Sequence, residues 1–199
     1  PSVFRRTNGR RSSGWPERCS GGDPRPPDRW SVADGGTPIP PASSAVVRVR
    51  PLRDDERGWV RREAEALWGA RIVVAHGVVH EPGSLEGFVG EDGGRRVGLL
   101  TYLARDDACE IVTIDAFEPG RGIGTALLDA VKALGHRRLW LVTTNDNIRA
   151  QRFYERSGFR LVAVREGEIE RSRRLKPQIP DVGEAGVPIR DELEYEFTR

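Results

Sequence analysis

Three glycines at alternate positions, Gly120, Gly122 and Gly124, stand between a β-branched run and an amphipathic helix. The run is Ile111-Val112-Thr113-Ile114. Behind the glycines, Ile123, Ala126, Leu127, Ala130, Val131 and Leu134 recur at helical spacing and predict one buried face. The chemistry open to such a segment is anion binding. The first backbone N–H groups of a helix have no intrahelical partner, the dipole there favours negative charge, and glycines let a phosphate approach without a Cβ in the way. Two familiar glycine-rich phosphate sites do not fit. A P-loop needs Gly-Lys-Ser/Thr, and this turn has no lysine. A dinucleotide fingerprint needs G-x-G-x-x-G, and counted from Gly120 its last glycine falls on Thr125. A tight strand-to-helix turn without a ligand is the plain alternative.

The residues downstream narrow the choice. Leu139-Trp140-Leu141-Val142-Thr143-Thr144 reads as a buried parallel strand. Asn145-Asp146-Asn147 offers helix caps, and the helix Ile148-Arg149-Ala150-Gln151-Arg152-Phe153-Tyr154-Glu155 closes at Gly158 before Phe159 opens another strand. The order of strand, glycine turn, helix, strand, Asn, helix and Gly-Phe resembles the carboxy-terminal half of the GNAT acyltransferases, and N-x-x-A-x-x-F-Y-E-x-x-G-F is specific to that superfamily. The resemblance covers about Val46 to Phe197 and is strongest from Glu110 to Phe159. One departure stands out: where the family carries Gln or Arg three residues before the second loop glycine, this chain has Pro119, and Arg121 is the natural substitute.

The resemblance implies a single α/β domain whose mixed, mostly antiparallel sheet is flanked by helices and whose central parallel strands splay apart. It implies an enzyme, an N-acetyltransferase moving an acetyl group from acetyl-CoA to a primary amine by direct attack in a ternary complex. A non-catalytic acyl-CoA-binding regulatory or interaction module is the alternative. It further implies that the pyrophosphate lies on Gly120, Arg121, Gly122, Ile123, Gly124 and Thr125. Backbone at Ile114, Asp115 and Ala116 meets the pantetheine arm and the oxyanion. Asn147 contacts the coenzyme, caps its helix, or does both. Glu110 matches the family's general base, with Asp115 and Glu118 as rival carboxylates and an outward-facing strand acid as the plain reading. Tyr154 matches the general acid, with an aromatic core residue as its plain reading. Asp191 and Glu192, at the end of a long connection from Arg171, border the acceptor side and attract the amine, or pair with neighbouring arginines. The acceptor is a small-molecule or peptide amine, and the oligomeric state is left open.

The elements that must position these groups start at residue 46. Val46–Arg50 reads as a strand, and Asp54 as the cap of a helix carrying Trp59, Val60, Ala64, Leu67 and Trp68 and ended by Gly69. Strands are expected at 71–75, 87–91, 96–104 and 109–117, with a hairpin turn at Glu91-Asp92-Gly93-Gly94. The alternation in Glu192–Phe197 gives a final half-buried strand. Residues 1–45 differ: eight of the fourteen prolines and seven arginines against four acids, with no apolar periodicity, predict a disordered tail. The remaining residues hold 25 basic and 26 acidic side chains, which argues against a nucleic-acid binder. Two cysteines give no disulfide framework and suit a reducing cytoplasm. No apolar run reaches the ~20 residues of a membrane span, and the amino terminus lacks a signal-peptide core. His76 and His80 sit four apart, but Gly77 and Pro82 oppose a helix there, so no metal is expected.

Overall fold

The computed structural model describes residues 47–183 and 186–199, so the expected tail at 1–45 and residue 46 lie outside the described residues. Among the described residues nine strands and four α-helices follow in the order β1 (Arg48–Pro51), α1 (Arg57–Trp68), β2 (Val73–Ala75), β3 (Val78–His80), β4 (Glu86–Asp92), β5 (Arg95–Arg105), β6 (Ala108–Ala116), α2 (Ile123–Ala133), β7 (Arg138–Thr144), α3 (Ile148–Arg156), β8 (Arg160–Arg165), α4 (Glu168–Leu175) and β9 (Glu192–Thr198). Seven strands form one sheet in the order β1-β4-β5-β6-β7-β9-β8, and β2 and β3 make a separate hairpin. Every pair in the large sheet is antiparallel except β6 with β7, joined by the α2 crossover. The mixed, mostly antiparallel sheet expected from the sequence is the one observed.

Two apolar layers hold the sheet. On one face, Ile123, Leu127, Leu128 and Val131 of α2 and Phe153 and Tyr154 of α3 share a cluster with Leu100, Ile111, Leu139, Leu141, Phe159 and Tyr195. Val89 and Leu99 are buried but outside that cluster, and each adjoins a member of it, Phe88 and Leu100. Side chains alternate along a strand, so these two face the opposite layer. Val60 and Ala64 of α1 and Val73 and Val74 of β2 are likewise buried outside the cluster. At ~25 cal/mol per Å² of apolar area removed from water, these layers supply the main drive for folding.

Three details depart from the sequence reading. Asp54 does not cap α1: it opens a 3-10 turn, Asp54–Glu56, and its carboxylate pairs with Arg57 at 3.0 Å. Glu56 instead reaches back to accept from Arg53 N at 3.1 Å and is itself buried between Arg50 and Arg96. The strand at 71–75 begins only at Val73 and folds back on β3 through His76 and Gly77, with φ of 52° and 69°. That two-residue turn, with φ positive at both positions, matches the twist of the flanking strands. The stretch from Arg171 is not all loop, because α4 runs from Glu168 to Leu175. Among the described residues no helix is long and apolar enough to cross a membrane.

Candidate functional site

β6 and β7 pair at three positions only, Ala108 with Arg138, Cys109 with Leu139 and Glu110 with Trp140. Beyond these both strands continue, β6 bonded to β5 as far as Ala116 and β7 bonded to β9 as far as Thr144, but no longer to each other. Register on β5 slips here: Tyr102 faces Ile111 and Thr101 faces Thr113, leaving Val112 unopposed. A bulge bends its strand and increases the local twist. Its place, two residues after the last parallel pair, accounts for β6 turning away from β7. The inner edge of β6, including Ile114, Asp115 and Ala116, therefore borders a split in the sheet.

At the carboxy end of β6 the chain enters the glycine turn. Gly120 and Gly122 have φ of 83° and 73°, and Gly122 is the residue from which α2 starts. Among the described residues a Cβ built on either glycine would meet nothing within 4 Å, so the turn presents bare backbone. Ala126 N donates to Gly122 O at 3.0 Å, and the amides of Ile123, Gly124 and Thr125 precede the first intrahelical bond. Gly124 serves another purpose. A Cβ there would sit 3.0 Å from Phe153 Cζ, so its absence lets α2 close on α3. Arg121, beside Pro119, bonds Glu118 and reaches Asp92 Oδ2 at 2.8 Å, which makes it part of an ion-pair group on the rim.

The candidate acid–base groups lie in three different settings. Glu110 stands at the last parallel pair, 8% exposed, with His80 Nε2 3.5 Å from its Oε1. Burial pushes its carboxyl up to about 7 and pushes His80 down. The two border a small pocket of about 270 Å³ with His76, Arg105 and Trp140. Asp115 is buried, its Oδ2 has no hydrogen-bond partner among the described residues, and burial holds its carboxyl well above the usual range. Glu118 is held below its ordinary value by Arg121. Tyr154 is 1% exposed among Phe153, Phe159 and Tyr195, with ring centroids 5.6 to 6.1 Å away. Burial, then the Asp115 carboxyl, pushes its phenol up.

A cavity of about 650 Å³ opens beside the carboxy end of β7, bordered by Val142, Thr143 and Thr144, by Asn147 at the head of α3, by α1 and β2, and by Lys176, Gln178, Ile179, Pro180, Val187 and Ile189. Asn147 caps α3, its side chain accepting from Ala150 N at 3.2 Å. Glu192 borders the cavity but is committed: Oε2 accepts from His76 N at 3.1 Å and Oε1 from Ser172 Oγ at 3.4 Å. Asp191 accepts from Gly167 N at 2.9 Å, which ties β9 to the start of α4. The structure thus gathers Ile114, Asp115 and Ala116 along the split, the glycine turn at its mouth and Glu110 at its apex. It brings Asp191 to none of these.

Sequence reasoning missed His80 as a neighbour of Glu110 and Lys176 as a cavity residue. The first had only a partial signal: Val-Val-Ala-His-Gly-Val-Val-His is a readable hairpin pattern that pairs His80 with Val73, but its approach to Glu110 in the other sheet is set by tertiary packing. Lys176 had none, because its place depends on α4. Among the described residues no group of three or more His, Cys, Asp or Glu is arranged to hold a metal ion.

The sequence pattern of the Acetyltransferase (GNAT) family matches residues 48–159. The chain belongs to that family. It is similar to two uncharacterized proteins of Bacillus subtilis (strain 168), YxbD at 38% identity and YdhI at 37%. Each match runs over 131 residues, 63% of this chain and 82% of the relative. Its fold is similar to that of an IAA acetyltransferase from Bacillus cereus ATCC 14579, with TM-score 0.56 and 19% identity over 77% of this chain and 99% of that one. A Bacillus subtilis acetyltransferase in complex with CoA gives 0.54 and 20%, again over 77% and 99%. The ribosomal-protein-S18-alanine N-acetyltransferase from Escherichia coli gives 0.53 and 16% over 77% and 94%. The split and the glycine turn are thus features of a GNAT domain, and the matched stretch holds every residue expected to touch the donor.

Proposed function

We propose that this GNAT domain transfers an acetyl group from acetyl-CoA to a primary amine by direct attack in a ternary complex. The observation that carries the proposal is the parting of β6 from β7 after Glu110, with bare glycine backbone and the head of α2 at its mouth. In this reading the α2 amides and the Gly120–Gly124 turn hold the pyrophosphate, Arg121 shifts from its carboxylates toward phosphate, and the unpaired edge at Ile114, Asp115 and Ala116 holds the pantetheine. Asn147 adds a coenzyme contact to its capping bond.

Transfer needs a neutral amine, a stabilised oxyanion and a proton for the departing thiolate. Glu110, with its carboxyl near 7, has the basicity suited to taking the amine proton at neutral pH, directly or through a water. An N–H of the β6 edge meets the oxyanion as the amine nitrogen bonds the thioester carbon. The C–S bond then breaks and the thiolate takes the Tyr154 proton. Burial favours the neutral phenol, the form that can donate. Glu192 is the one of the two expected acceptor acids that borders the cavity.

A screen of amines and peptides for acceptor-dependent release of free thiol from acetyl-CoA tests the reading. Turnover with any amine, lost in Tyr154→Phe, supports it. Tight acetyl-CoA binding without turnover across the whole panel would instead favour a non-catalytic acyl-CoA-binding module. The chain from Ala45 onward should behave in this assay as the full chain does, because residues 1–45 carry no core pattern.

A further inference from the structure

The chain has 32 basic residues, and only two of them, Lys132 and Lys176, are lysines. Lys132 is accounted for: its ammonium donates to Ser157 O at 2.6 Å and lies 4.7 Å above the Phe197 ring. Lys176 is harder to explain as structure. It follows the last turn of α4 and is 7% exposed, yet it borders the 650 Å³ cavity. Among the described residues its Nζ has one protein partner, Ile72 O at 3.0 Å, and no carboxylate lies within ion-pair distance. An ammonium carries three donors, and a buried charge without a counter-ion is costly. Burial accordingly pushes Lys176 down to about 8. A chain that places arginine almost everywhere else has put a compact, strongly hydrated cation at this wall.

The rest of the cavity sharpens the contrast. Val73, Val74, Val142, Ile169 and Ile189 make its wall largely apolar. Its buried carboxyl, Glu192, already accepts from His76 N and Ser172 Oγ, and burial favours the neutral form. Asp146, also on the wall, accepts from Thr144 Oγ1. The volume falls in the range of small-molecule sites, ~300–1,000 Å³. The cavity also takes in Val142, Thr143 and Thr144, the stretch of β7 that has already parted from β6. A ligand seated here therefore lies against the β7 side of the split.

We propose that this cavity seats a small apolar amine that also carries a carboxylate, in chemical class an α-amino acid with a branched or aromatic side chain, and that Lys176 pairs with the carboxylate. The assignment rests on the transferase reading for the amine and on the cavity itself for the carboxylate. Polycationic amines are disfavoured by the same lysine; the apolar walls discriminate poorly against a single methylene, whereas Lys176 discriminates against a ligand that leaves it without a charge partner.

Calorimetric titration of the CoA-loaded full chain with N-acetyl-L-leucine and N-acetyl-L-leucinamide tests the subsite, since both fit the same volume and differ in charge. The acid should bind at least ~10-fold tighter, the scale of a charge-assisted hydrogen bond. Lys176→Met, which keeps length and apolar character, should make the two ligands equal while acetyl-CoA binding is unchanged. Equal or tighter binding of the amide by the unaltered chain overturns the proposal without recourse to any variant. So does failure of both ligands to bind, or an acid preference that survives in Lys176→Met. Thiol release with L-leucine against L-leucinamide separates the two readings. Acid preference in binding without any transfer would keep the subsite and sink the transferase, and efficient transfer to amides without acid preference would do the reverse.

Discussion

Glu110→Gln should make the protein slower and, above neutral pH, more stable. The carboxyl is raised by burial from its ordinary 4.5 to about 7 in the folded chain, so between these values the folded state binds the extra proton. Its favourable contribution is complete below pH 4.5 and is lost as pH rises through 7. At ~1.4 kcal/mol per pH unit the shift sets a ceiling of ~3 kcal/mol on the cost of the ionised form. The side chain still meets solvent through the small pocket, which reduces this to about 1–2 kcal/mol. Glutamine keeps the shape and removes the charge. Thermal unfolding at pH 8 should therefore give a midpoint a few degrees higher for the variant, at ~2–4 °C per kcal/mol for a chain of this size, and no gain at pH 5. In the transfer assay the same change should lower kcat/KM by ~10²–10⁴-fold above pH 7, and remove a rate limb near pH 7 that the unaltered chain shows. A variant destabilised at pH 8, or one that keeps the limb, would refute the placement of Glu110 as a buried base at the apex of the split.

Other substitutions separate binding from packing. Gly122→Val puts a branched side chain at φ 73° into open space at the mouth of the split, so acetyl-CoA binding should be lost while the unliganded chain stays folded, as circular dichroism would show. Gly124→Val drives atoms into the Phe153 ring, so its melting temperature should fall before any ligand is added, by the ~1–3 kcal/mol typical of overpacking. Tyr154→Phe should keep stability and acetyl-CoA affinity, measured by calorimetry, and lower kcat. Glu56→Ala takes a buried carboxylate from Arg50, which keeps Glu91, and from the partly exposed Arg96, and should cost ~1–3 kcal/mol in urea unfolding. Because Arg50 holds Glu56 down to about 2, its contribution is complete above pH 4.5 and is lost as pH falls through 2.

The carboxy-terminal half was readable because local signals and long-range ones agree there. The glycines at 120, 122 and 124, the β-branched runs before and after, and Asn147 ahead of an amphipathic helix each specify one conformation, and each is observed. α4 escaped detection for a physical reason. It buries only Ile169 and Ser172, so it carries no apolar stripe, and its legible marks were Gly167, the acids Glu168 and Glu170 in the first turn and Arg173 and Arg174 in the last. Asp54 misled because a good capping residue lay two positions ahead of Glu56, whose tie to Arg50 and Arg96 runs through β1 and β5. Burial of Glu192, the orphan oxygen of Asp115 and the isolation of Lys176 are tertiary facts. Nothing within a few residues of any of them distinguishes a buried charge from a solvated one.

The central claim is that the split between β6 and β7, with the glycine turn, is an acetyl-CoA site. Thermal unfolding of the full chain against increasing acetyl-CoA, beside matched series with NAD, NADP and ATP, tests it most directly. A ligand that binds only the folded state stabilises it by ~2.7 kcal/mol at one hundred times its dissociation constant. Acetyl-CoA should raise the midpoint in a saturable way that Gly122→Val abolishes, and the other nucleotides should have little effect. Equal stabilisation by NAD, or none by acetyl-CoA, would contradict the account.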